Sequence, residues 1–370
     1  MTRYRSRYVN GVFGQVKYVS NGAVFKTRTR YDFEEVWDEV APGDNHFFTM
    51  NRHSVTGLLI NGQRTSGTGS NYYRYENYPA IDPAASYWNH NSFSTPNDNI
   101  YAAQLLKMTN PSRSVVDVPI FIAELKDVPH LFKIVGDTAF KTVARADLAF
   151  WFGWKPLASD MMKLLDFSDA VNQRRKELEA LYQSGLSRTR NLDSFTATSS
   201  ISAHIANSTD FTVVTVGGPK VTNTRVWGHC KWKPTELPPK TEQEMIALAR
   251  RAVLGLTIDP VTAWELIPFS WMIDWCSNVG DYLAAKRNIV GAVPYDISIM
   301  RQSTTTTYLQ RDGGYVGVNI TPGTVTKLSK SRAAPSASLS AYLPYLSLRQ
   351  LSILGSLWVL RADTRRTFRM

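Results

Sequence analysis

The sequence predicts an elongated α+β protein in which a helical bundle region and a separate β-rich region are each built from discontinuous segments. Three observations predict it. Hydrophobic periodicity alternates between two and 3.6 residues in blocks, in the order strand, helix, strand, helix, strand, helix, which favours segregated layers over a doubly wound sheet. Residues 259–288 are the densest apolar and aromatic run, with Trp264, Ile267, Trp271, Trp275 and Tyr282 recurring at three- and four-residue steps along one helical face. A chain of 370 residues that is 43% hydrophobic and 12% aromatic can also bury two cores.

Residues 1–116 read as the first part of the β-rich region. The stretch YVNGVFGQVKYVSNGAVFKTRTRY alternates as two or three strands, with Asn10-Gly11 and Asn21-Gly22 as turns and a basic outer face. Residues 43–100 carry Gly, Asn, Ser, Tyr and Pro throughout, which predicts long loops with short strands.

From Asp117 the period becomes helical, and residues 117–190 form the first part of the bundle. A long helical stretch runs from about Thr138 to Ser184, punctuated by Gly153 and Pro156, with Gly185 as its C-cap. On its second half Val171, Leu178, Leu181 and Tyr182 line one face, while Arg174, Arg175 and Lys176 lie across the other.

Residues 191–235 return to a hairpin pattern, with Gly217-Gly218-Pro219 at or near its turn. Residues 236–290 hold the central helices. Thr241 to Glu244 is a capping box, and Asp259-Pro260 is an N-cap followed by proline at the first helical position. Pro268 predicts a kink or break at Ile267–Pro268. Residues 291–343 read as a second hairpin bent at Asp312-Gly313-Gly314, and 344–370 as a basic C-terminal helix.

A net charge of +11 and a pI near 9.5 favour a polyanionic partner, nucleic acid ahead of a membrane surface. Cys230 and Cys276 have neither CxxC nor zinc-type spacing, so a disulfide framework and a metal site are not expected. No signal-peptide pattern opens the sequence and no apolar run of ~18 residues occurs, which predicts cytoplasmic synthesis and no membrane span.

Two short segments are more specific than any periodicity. Trp264-Glu265, Pro268-Phe269-Ser270 and Asp274-Trp275 follow the pattern WE-x-x-PFS-x-x-x-DW, and residues 152–160 follow FGW-x-P-x-x-SD through Trp154, Pro156 and Asp160. In this wording and order the sequence resembles the maturation proteins of single-stranded RNA bacteriophages, the levivirus family. The resemblance implies a single-copy, monomeric virion component, made in the bacterial cytoplasm, that takes the place of a coat protein dimer. It implies binding of the genomic RNA including its 3′ end, attachment to a host pilus, and passage into the cell with the RNA. It implies no cofactor.

Under that resemblance the RNA contacts are expected on the helical half, at Arg174, Arg175, Lys176, Arg250, Arg251, Lys286, Arg287, Arg361, Arg365 and Arg366. Pilus contacts are expected on the aromatic loops, at Tyr72, Tyr73, Tyr75, Tyr87 and Trp88, or at Asp312 on a hairpin tip. Trp154, Pro156, Asp160, Trp264, Pro268, Phe269, Asp274 and Trp275 are read as packing, with the carboxylates accepting hydrogen bonds from indole or helix-terminal donors.

The sequence contains no Walker A, GxGxxG, HExxH or GxSxG pattern, and His229-Cys230 would point to opposite faces of a strand. An enzyme is not expected; the alternative is an RNA-binding enzyme or polymerase accessory whose active site follows no recognised pattern.

Overall fold

The computed structural model describes residues 1–40, 46–64, 72–92, 95–115, 117–118, 120, 150, 155, 166–207, 210–256, 259–267, 270–314, 316–338 and 347–364. The strands are β1 (Thr2–Tyr18), β2 (Val24–Glu39), β3 (Phe48–Thr56), β4 (Ile60–Gln63), β5 (Tyr73–Tyr78), β6 (Leu186–Asn207), β7 (Asp210–Pro234), β8 (Ala292–Gly314), β9 (Val318–Ile320) and β10 (Gly323–Ala333). All ten belong to one antiparallel sheet, in the order β6-β7-β8-β10-β3-β2-β1-β5-β4-β9.

This corrects the predicted fold class. Strand outweighs helix among the described residues, and a single large sheet replaces the helical bundle with a separate β-rich region. The physical reason lies in strand length. β6, β7 and β8 span 22, 25 and 23 residues, so segments that looked like short local hairpins are long members of the same sheet. Gly217-Gly218-Pro219 lies inside β7, which already begins at Asp210, three residues after β6 ends at Asn207. Asn10-Gly11 is likewise no turn. Asn10 takes φ 57° and the β1–β2 register shifts between Val9 and Val12, which makes the dipeptide a bulge within one continuous strand.

Two compact units divide the chain. The first comprises Met1–Asp98, Asn191–His229 and Asp296–Pro335. Its core gathers Val16, Val55, Leu58, Ile60, Tyr73, Tyr75, Tyr78 and Trp88 with Ala203, Val214, Val216, Leu309, Ile320 and Val325. Strands from both ends of the sheet order thus supply one interior. Gly14 allows a close approach there, since a Cβ would collide with the backbone of Asn77 and Tyr78.

The second unit comprises Asn99–Arg190, Cys230–Tyr295 and Ser336–Met370. Among the described residues its helices are α1 (Asp98–Thr109, whose first residue belongs to the other unit), α2 (Phe167–Ser184), α3 (Glu242–Leu254), α4 (Pro260–Glu265), α5 (Ser270–Asp274), α6 (Val279–Ala285) and α7 (Leu348–Thr364). The capping box at the start of α3 is closed by Glu244 N to Thr241 Oγ1 at 3.2 Å and Thr241 N to Glu244 Oε2 at 3.3 Å. Asp259 caps α4 by accepting from the amides of Val261 and Thr262, each at 3.0 Å. The run expected to kink or break at Ile267–Pro268 is divided into α4, α5 and α6, with Ile267 beyond the end of α4 and a further break between Asp274 and Val279.

Candidate functional site

The cations expected to meet RNA separate into two groups. On α2, Val171, Leu178 and Leu181 are buried, and Arg174 falls on the same stripe at only 8% exposure. Its guanidinium donates to the carbonyls of Pro111 and Arg113, both at 2.7 Å, and pairs with Glu177 at 3.2 Å. Burial holds its pKa below the usual arginine value. Arg188 completes the arrangement, donating to Thr109 O at 2.7 Å and pairing with the same Glu177 at 2.9 Å. These guanidiniums satisfy carbonyls left open where α1 ends.

Arg287 is also internal, 8% exposed. It pairs with Asp117 at 2.8 Å and Asp259 at 2.6 Å, and donates to Ser114 Oγ at 2.8 Å. Burial raises the pKa of Asp117, and the arginine opposes that shift. Arg174 and Arg287 are therefore structural cations, a correction to their expected role. The signal available for Arg174 was its place three residues after Val171 and four before Leu178, on the apolar face of the helix.

Four of the remaining cations face solvent. Lys176, Arg250, Arg251 and Lys286 are exposed. Arg251 donates to Ile289 O at 3.2 Å, and Lys286 Nζ lies 4.5 Å from the Tyr282 ring. Arg175 is half-buried and pairs with Glu242 at 2.5 Å. Arg361 lies in α7, but its side chain, like Arg365 and Arg366 altogether, is outside the described residues.

The aromatic residues expected at a recognition surface are mostly core. Tyr73, Tyr75 and Trp88 are 5%, 2% and 2% exposed, and Trp88 donates its indole N–H to Asp82 O at 2.8 Å. Their predicted role as surface contacts is corrected on that ground. Tyr72 and Asp312 are exposed, while the side chain of Tyr87 is outside the described set.

Of the two signature segments, Trp154, Pro156, Asp160, Pro268 and Phe269 lie outside the described residues. In the remainder, Trp264 Nε1 donates to Asp274 Oδ2 at 3.2 Å, and the Gly280 amide donates to Asp274 Oδ1 at 2.9 Å. Asp274 thus joins α4 to the start of α6. Trp275 is half-buried.

Cys230 is buried with Sγ 3.0 Å from Thr109 Oγ1, and burial pushes its thiol pKa up; Cys276 is exposed, and both are free. Among the described residues no group of three or more His, Cys, Asp or Glu could hold a metal ion, and no helix is long and apolar enough to cross a membrane.

Sequence reasoning missed two features of the sheet unit. His90 bridges Thr305 Oγ1 and Ser329 Oγ, both at 2.7 Å, and so straps the segment after the 3-10 turn Ser86–Trp88 onto β8 and β10. The opposite face of the sheet carries Arg52, Lys330 and Arg332; the alternation of the last two in KLSKSR was visible but read only as part of a hairpin.

A family model described as phage maturation protein matches residues 123–314, just over half of the chain, and the match spans both signature segments. No curated protein matches the chain.

Proposed function

This chain belongs to the phage maturation protein family, and from that premise we propose that it is a virion component that binds the genomic RNA, takes the place of a coat protein dimer and attaches the particle to a host pilus. The family is one of structural and attachment proteins. The observation that carries the RNA part is the sorting of cations on the helical unit: Arg174 and Arg287 turn inward to neutralise the fold, and Lys176, Arg250, Arg251 and Lys286 stay at the surface. Exposed cations of this kind suit phosphate groups, whose binding releases counterions and is steeply salt-dependent. The RNA's 3′ end, entry with the RNA and single-copy incorporation complete the proposal on the strength of the family alone.

The test is UV cross-linking with mass spectrometry on intact particles, scoring copies per RNA and the linked peptides. One copy per genome, with RNA linked to peptides of α2, α3 or α6, is expected. Absence of the chain from particles would sink the reading.

A further inference from the structure

The face of the sheet turned away from His53, Val55, Thr305 and Thr307 carries an ordered array of side chains. Strand registers place Arg7, Glu34, Arg52, Leu328 and Thr304 in one cross-strand row, Arg5, Val36, Met50, Lys330 and Gln302 in the next, and Arg3, Asp38, Phe48, Arg332 and Met300 in a third. None of these fifteen positions is buried. Val36, Met50 and Phe48 adjoin at the centre, and six cations surround them against only two carboxylates, Glu34 and Asp38. Those two pair with Arg7 at 2.8 Å and with Arg3 and Arg5 at 2.6 and 2.9 Å, and the array as a whole keeps four more positive than negative side chains.

An apolar centre within a charged rim is the anatomy of a protein interface, in which Met, Phe and Arg are enriched. A face on which the bases of single-stranded RNA stack presents several rings together. Phe48 is the one ring among these fifteen side chains; on the other face Tyr4 pairs with Trp37 and Tyr8 with Phe33. Permanent subunit contacts are larger and more apolar than this array. At ~4.8 Å between strands and ~3.3 Å per residue its flat footprint is roughly 400 Å². A strongly charged patch of that size suits a transient partner, steered by its own opposite charge.

We infer that this cationic sheet face docks an acidic protein surface of the host receptor, with an apolar receptor side chain seated among Val36, Met50 and Phe48 and carboxylates facing Arg52, Lys330 and Arg332. The inference rests on the attachment reading above and moves the contact from the aromatic loops to the sheet.

The experiment compares particles carrying the wild-type chain, Lys330→Glu with Arg332→Glu, Met50→Lys, or the charge-conserving Lys330→Arg. Adsorption to host cells is measured together with copy number and RNA content, and wild-type particles on cells are treated with a zero-length carbodiimide cross-linker. The expected result is an adsorption loss of tenfold or more for the first two variants at unchanged copy number and RNA content, no loss for Lys330→Arg, and a Lys330 product with a receptor Asp or Glu. Normal adsorption by the charge-reversed particles, or Lys330 joined to coat protein or photo-linked to RNA, would overturn it. Should charge reversal prevent folding, Lys330→Gln with Arg332→Gln carries the same test. Wild-type particles that lack the chain would refute the maturation reading instead, a separate outcome.

Discussion

Trp264 and Asp274, ten residues apart, are joined by a 3.2 Å hydrogen bond from indole to carboxylate, and the second carboxylate oxygen takes the Gly280 amide at 2.9 Å. The first and last parts of one signature segment are therefore held together by a single carboxylate.

Asp274→Ala leaves an indole N–H and a backbone amide without their acceptor. A loss of about 2–4 kcal/mol is expected, at ~1–3 kcal/mol per unsatisfied group with partial rescue by water. Urea unfolding of the purified chain checks this. An unchanged midpoint would show that the two donors are solvated without the carboxylate.

Inward and outward cations should separate experimentally. Arg287→Met strands Asp117 and Asp259 without their partner and should cost ~3–5 kcal/mol. Lys176→Glu should leave thermal stability within ~0.5 kcal/mol, as surface changes do, and weaken RNA binding with a shallower salt slope. Thermal unfolding paired with RNA titration at several salt concentrations distinguishes them.

Acid should loosen the strap at His90. Burial first, then the charges of Lys327 and Lys220 and the nearby His53, lower its pKa from 6.5 to about 4. The unfolded chain therefore binds a proton in this range that the folded chain refuses, so stability is full above pH 6.5 and falls as pH drops toward 4. Between pH 7 and 5 the His90 share is about 1–2 kcal/mol after allowing for the hydrated part of the ring. The measurement is the difference in stability between pH 7 and 5, which should shrink in His90→Gln. An equal difference in both proteins would assign the acid sensitivity to other groups.

Trp88→Ala should destabilise the sheet unit by ~3–5 kcal/mol through loss of a buried aromatic, whereas Tyr72→Ala should leave stability unchanged. Adsorption assays on particles of both variants then show whether any attachment defect follows folding or surface chemistry.

Much of the local structure was legible in residue order. The Thr241 capping box, the Asp259-Pro260 start and the stripe Val171, Leu178, Leu181 follow from side-chain chemistry within a few residues. The fold class was not, because strand pairing is a long-range property: Arg52 meets Leu328 across 276 positions, and no local pattern encodes that register. α1 escaped for a different reason. Tyr101, Ala102, Ala103, Leu105 and Leu106 are buried around most of its circumference, so no one-sided stripe exists to be read. The site suffered similarly. Tyr73, Tyr75 and Trp88 sit in a segment with loop-like composition but supply core, and Arg174 shares a helix face with leucines.

The two thiols differ in a way that experiments can use directly. Cys230 is sealed beside Thr109 and Trp232 with a raised pKa, while Cys276 is exposed next to Trp275. A maleimide dye at neutral pH should therefore couple to one position in the native chain and to two after denaturation. The unmodified protein thus carries its own single-site reporter, adjoining the signature tryptophan, for following the second unit through assembly and release without any engineered cysteine.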